Sequence, residues 1–148
     1  FKAVKEFYAS LGEDLVKALN DMILLDAVIF HSDRHYGNFG FLVDCKTNKI
    51  VAPAPLFDHG NSLLNFAGRD ALESEEALQK YADTIMPCVY DNFVEEAISV
   101  LSHEQKNNLR KLLNFKFKRH SRYNLSKDRL TMIERIIRNR AKEILDKG

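Results

Sequence analysis

His31-Ser32-Asp33-Arg34-His35-Tyr36-Gly37-Asn38-Phe39-Gly40, with Asp58-His59-Gly60 beginning twenty residues beyond Asn38, is the stretch on which the reading of this chain turns. An Asp, an Asn or an Asp-x-Gly is common on its own. Their order is less common, as are the five-residue step from Asp33 to Asn38 and the segment between Asn38 and Asp58. Residues 39–43 and 50–52 are short and apolar, and residues 44–49 between them are polar and turn-forming, the pattern of a small β-hairpin. Pro53 and Pro55 are expected to stop regular pairing there and to carry an extended chain into Leu56-Phe57-Asp58. A hairpin at this place would return Asp58 to the neighbourhood of Asn38. Gly60 and Asn61 mark the turn that follows.

Working outward, the rest of the chain reads as helix. The opening residues, with Lys2 and Lys5, have a helical context. Ser10-Leu11-Gly12-Glu13 fits a capping box, and Leu15, Leu19, Met22, Ile23 and Val28 follow with helical spacing, predicting a helix over 11–30 that ends at His31. Downstream, a weak, mostly polar helix is expected over 70–81. Pro87 suits the first turn of another, running to about 101. Ser102-His103-Glu104-Gln105 is a second capping box, opening a helix expected to reach 119. Ser126 should cap the last helix, in which Leu130, Ile133, Ile136, Ile137, Ala141, Ile144 and Leu145 form one apolar stripe. The expected fold is mainly α with one small β-hairpin, a single domain over 1–148 with the candidate site in 31–62 and a helical remainder in 63–148.

Bulk composition narrows the classes. Hydrophobic residues at 45% and charged residues at 29% are ordinary for a globular domain of 148 residues. A net charge of +1 provides no whole-protein attraction to nucleic acid or to a membrane surface. No apolar run is long enough for a membrane span, since Asp26 interrupts the run from Met22 to Phe30. Cys45 and Cys88 stand far apart without zinc or disulfide spacing, which fits two reduced thiols and a cytoplasmic location. The chain starts with Phe1 inside a helical register, so a piece of a longer protein is expected.

The spacing around Asp33 suits phosphoryl transfer. That reaction needs a carboxylate to orient and deprotonate the acceptor, and oxygen ligands that hold Mg²⁺ against the phosphates. Asp33 and Asn38 have the five-residue step of a kinase catalytic loop, and Asp58-His59-Gly60 has the form of its second metal-binding motif. A zinc site on His31 and His35 is the weaker reading, because no Glu follows His31 and Gly37 and Asn38 point to a loop.

His31 to Gly40, followed by Ala52-Pro53-Ala54-Pro55-Leu56-Phe57-Asp58-His59-Gly60, resembles the C-terminal lobe of HipA-like serine/threonine kinases. These are bacterial proteins of protein-kinase-like fold, several of them toxins of toxin–antitoxin pairs. The Asp-Arg-His-x-x-Asn form is also similar to the catalytic loop of phosphoinositide lipid kinases. The match covers about residues 29–64. It implies ATP and Mg²⁺ as cofactors, Asp33 as catalytic base, and Asn38 and Asp58 as metal and cofactor-binding ligands. His35 would support the loop or the transferring phosphate. His59 takes the place of an aromatic residue as a packing or hydrogen-bonding group. Arg34 and Gly37 stand where the family more often has a small residue and a Lys, so His35 or Arg34 is the expected substitute for that charge. The implied partners are the small lobe or the rest of a parent kinase, a protein substrate carrying Ser or Thr, and an antitoxin. The 32 residues before Asp33 contain one glycine, Gly12, so no Gly-rich nucleotide loop precedes the site and the small lobe is absent from this chain.

The rival reading is a non-catalytic interaction module, docking a partner protein or DNA through its helices and the basic, aromatic-rich segment 115–123. Such a run is more often a helix end whose cations favour the C-terminal dipole. A lipid-kinase lobe keeps the same chemistry, but no membrane-facing segment accompanies it.

Overall fold

Ile133, Ile137, Ala141 and Ile144 are all buried along one face of the last helix, as their spacing predicts, and the molecule is assembled around them. The computed structural model describes residues 1–148. Its helices are α1 (Lys2–Leu11), α2 (Glu13–Ile29), α3 (Glu75–Ala82), α4 (Phe93–Ser99), α5 (His103–Leu112) and α6 (Lys127–Lys147). One hairpin, β1 (Phe41–Val43) with β2 (Ile50–Pro53), interrupts the helical order. The fold is thus mainly helical with a single antiparallel hairpin.

Three apolar clusters share two helices. α2 places Leu24, Ala27 and Val28 against α4, α5 and α6. On its earlier turns, α2 places Leu15, Leu19, Met22 and Ile23 against Tyr8 of α1, with Phe39, Phe41 and Ile50 of the hairpin region packed alongside. Ile136 of α6 joins Phe30, Leu64, Ala67 and Leu78 in the third cluster. α2 and α6 therefore link the clusters, and α2 sets where the chain enters the site.

Several boundaries differ from expectation. Ser10 does not cap α2; its hydroxyl donates to the Phe7 carbonyl at 2.7 Å inside α1. The break falls at Gly12, whose φ of 128° only glycine adopts without strain. The helix expected over 70–81 is split into a 3-10 turn, Asp70–Leu72, and α3, because Ser74 accepts from the Ala77 amide and starts a new helix. Pro87 lies outside any helix. α4 starts at Phe93, where the Asn92 side chain accepts from the amides of Val94 and Glu95. α5 has the predicted Ser102–Gln105 capping box but ends at Leu112, not 119. Beyond it Phe115 and Phe117 pack against the core, and the Phe117 amide donates to Glu134 of α6 at 3.0 Å rather than continuing a helix. Ser126 caps α6 as expected.

The hairpin pairs Phe41 with Pro53, Leu42 with Ala52 and Val43 with Ile50, a register that leaves Val51 as an extra residue. Pro53 does not stop the pairing, since the next amide, Ala54, still donates to Gly40 at 2.9 Å. Proline is tolerated at an edge, and both strands of a two-stranded sheet are edges. The turn is closed by the Asp44 carboxylate, which accepts from the amides of Lys46 and Thr47 at 3.0 and 2.7 Å. No helix is long and apolar enough to cross a membrane. Both cysteines are free and exposed.

Candidate active site

α2 is capped by Phe30, a non-glycine residue with φ of 56°. Packing holds it there: the ring is 3% exposed and lies under the Arg140 guanidinium, 4.0 Å from its centroid. The left-handed turn redirects the chain into His31–Asn38. Asp58, Leu63 and Leu64 also have positive φ, so four of the five such non-glycine residues flank this one region. Backbone bonds lay the second segment along the first. Leu63 donates to Ile29 at 2.6 Å and Ser32 donates to Asn61 at 3.1 Å. Arg129 of α6 braces the far end, donating to the carbonyls of Leu64, Asn65 and Ala67.

The centre of the site is a residue pair that sequence reasoning missed. Arg34 and Asp26 are both completely buried. Arg34 donates from Nε to Asp26 Oδ2 and from Nη2 to Oδ1, each at 2.9 Å, a two-pronged pair. Its Nη1 donates to the carbonyls of Asn38 at 2.8 Å and Phe57 at 2.9 Å. One nitrogen thus joins the backbone at Asn38 to the residue before Asp58. The expectation that Arg34 would neutralise a phosphate is overturned, because its donors face inward and its charge is matched by Asp26. The available signal was Asp26 itself, a charge within an apolar helical run, which needs a buried partner.

Asp33 is half-buried on the loop. Its carbonyl accepts from the Asn38 side-chain amide at 2.8 Å, and its carboxylate Oδ2 accepts from the Asn61 side-chain amide at 2.9 Å. Asn61, expected to serve only as a turn residue, therefore orients the candidate base. Asn38 is 4% exposed with its amide nitrogen engaged, which leaves Oδ1 as the atom it could offer to a metal. Asp58 is exposed. His35 is exposed, and its Nδ1 accepts from the Gly37 amide at 3.0 Å, which puts the ring proton on Nε2. A Cβ at position 37 would meet the His35 ring at 3.0 and 3.1 Å, so glycine there permits the close approach.

Asn38 is thus bonded to Asp33, the residue before Asp58 is held by the same arginine as the Asn38 backbone, and His35 belongs to the same loop. The donor set suits Mg²⁺, a hard ion that takes one or two carboxylates and keeps the rest of its shell for water and phosphate. Nowhere do three or more His, Cys, Asp or Glu side chains converge as a zinc site would require. His31 is completely buried, with Nδ1 3.2 Å from the Asn61 carbonyl, while His35 turns to Gly37. His59 packs beside His31, ring centroids 5.6 Å apart, and the Nε2 atoms of both are buried without a partner. Burial first, then the charges of Arg34 and His31, holds the His59 pKa below its ordinary value.

Before the loop, Lys2 and Lys5 both lie on α1. Lys5 pairs with Glu96 and donates to Ser99 of α4, so it braces helices rather than facing the site. Segment 115–123 is not a helix end. Phe115 and Phe117 meet edge to face against the core, Arg119 pairs with Glu134 at 3.2 Å, and His120 stacks on Tyr123. No family model, no curated protein and no solved structure matches this chain.

Proposed function

We propose that this chain is the acceptor- and metal-binding half of a phosphotransferase. Within that class, the wording of residues 29–64 favours the C-terminal lobe of a HipA-like protein kinase, transferring the γ-phosphate of ATP to a Ser or Thr hydroxyl. The observation that carries this reading is the Arg34 clamp, which draws the Asn38 and Phe57 carbonyls onto one nitrogen while Asn61 reaches Asp33.

Asp33 would accept the proton of the attacking hydroxyl, with Asn61 holding its carboxylate in a fixed orientation. Asn38 Oδ1 and the Asp58 carboxylate would hold Mg²⁺. When bound, the ion offsets the charge of the phosphates. His35, with its proton on Nε2, would donate a hydrogen bond to the transferring group. Lys2 and Lys5 provide no phosphate grip, so transfer would need a small lobe from elsewhere in the parent protein or from a separate chain, while this chain would keep its Mg²⁺-mediated contact with the phosphates. The rival docking role for 115–123 draws less support, because two of its aromatic rings face the core.

Calorimetric titration of the chain with Mg²⁺ and ATP tests the metal half. Heat of binding that disappears in Asp58→Ala is expected; binding unchanged in that variant would remove Asp58 from the site. In the intact kinase, Asp33→Asn should abolish transfer and preserve folding, since the new amide keeps an oxygen for Asn61 to donate to. Full transfer by that variant would refute the role of Asp33.

A further inference from the structure

Two arginines are buried in this molecule, and only one has its donors matched. Arg34 makes four hydrogen bonds. Arg140 is 8% exposed, yet its one polar contact is Nε at 3.5 Å from Glu143 Oε2, too long for a good hydrogen bond. Glu143 is itself shared with Lys147 at 2.7 Å. No Arg140 nitrogen is among the side-chain atoms buried without a partner, so its remaining N–H groups open to solvent, and arginine keeps its charge there.

Arg140 faces a cavity of about 510 Å³ where the end of α3, the 83–92 connection, α4 and α6 meet. None of the lining residues belongs to segment 31–62. Phe30 covers one face of the guanidinium at 4.0 Å, which leaves its edge, with the paired N–H groups, for a ligand. Ile85, Phe93 and Ile98 supply apolar wall. Asp83, Glu95 and Glu143 line the same space against Arg140 and Lys147, three carboxylates facing two cations. That balance opposes a dianionic phosphate more strongly than a planar monoanion, whose two oxygens match the arginine fork.

We propose that this cavity is a binding site for a small organic carboxylate, received edge-on by Arg140 with its apolar body against Ile85, Phe93 and Ile98. The site does not depend on the phosphotransferase reading.

The test is a titration of the isotopically labelled 148-residue chain with sodium benzoate, neutral benzamide and inorganic phosphate at constant ionic strength, followed by NMR. Benzoate should shift the Arg140 Nε–H signal and the cavity-lining amides saturably, whereas benzamide and phosphate should not. Arg140→Lys keeps the charge but loses the fork, and should weaken benzoate about tenfold. Arg140 also packs on Phe30, so a second variant leaves that packing intact. Glu95→Gln, at an exposed position on the cavity wall, should instead tighten benzoate by removing a like charge. The proposal is overturned by the absence of a saturable benzoate shift, by an equal response to benzamide, or by stronger binding of phosphate. Folded Arg140→Lys that binds as the wild type does, or Glu95→Gln that weakens benzoate, would overturn it as well.

Discussion

Around residues 31–62 the backbone is positioned by polar side chains that bond to carbonyls and carboxylates: Arg34 to Asn38 and Phe57, Asn38 and Asn61 to Asp33, Arg129 to the chain beyond. Across α4, α5 and α6 it is positioned by apolar side chains such as Ala97, Leu109, Ala141 and Ile144. Hydrogen bonds hold atoms in place within narrow limits of distance and angle, while apolar packing tolerates exchange at similar volume. The proposed site relies on the first kind at Asp33 and Asn38, and the scaffold under it on the second.

The sharpest way to break this contrast is to remove half of the buried pair. Arg34→Met should destabilise the chain by about 3–5 kcal/mol in urea unfolding, because Asp26 is left charged and alone. The double variant Asp26→Leu/Arg34→Met should recover much of that stability while still losing Mg²⁺–ATP heat. A single variant as stable as the wild type would mean that the pair does not hold the loop. In the apolar half, Ile144→Ala removes a completely buried side chain and should lower stability by about 3 kcal/mol, but Ile144→Val by only about 1. Equal losses in the two variants would show that α6 does not accommodate repacking. Ser102→Ala should lose about 1 kcal/mol through its cap, with no change in Mg²⁺–ATP heat.

The smallest effect concerns pH. The folded chain binds a proton at His59 only below the ordinary value of 6.5, so the unfolded chain holds more protons just under that pH. Stability from His59 is fully present above 6.5 and falls as pH drops from there toward the lowered folded value. Urea midpoints compared between pH 7 and pH 5 should therefore fall less for His59→Gln than for wild type. An identical fall in both would assign the acid sensitivity elsewhere.

Features set by residues close in sequence were legible beforehand. The polar turn between β1 and β2, the Ser102–Gln105 box and the stripe of α6 depend on local spacing, and all three are present. Boundaries failed where two local signals competed, as at Ser10 beside Gly12 and at Pro87 ahead of Asn92. The end of α5 failed because Glu134, seventeen residues beyond Phe117, takes the amide that a helix would have used. Within the site, Asp33, Asn38 and Asp58 were legible as a spaced pattern. The Arg34–Asp26 pair was not, because an arginine in a loop gives no sign of facing inward until the helix behind it is in place.

The Arg34 clamp grips main-chain oxygens only, so it is indifferent to the side chains at positions 38 and 57. For a protein engineer this separates framework from function. The two backbones can be kept in register while the exposed group at position 58 is exchanged, and on the proposed reading metal preference becomes a property to be rewritten without redesigning the fold.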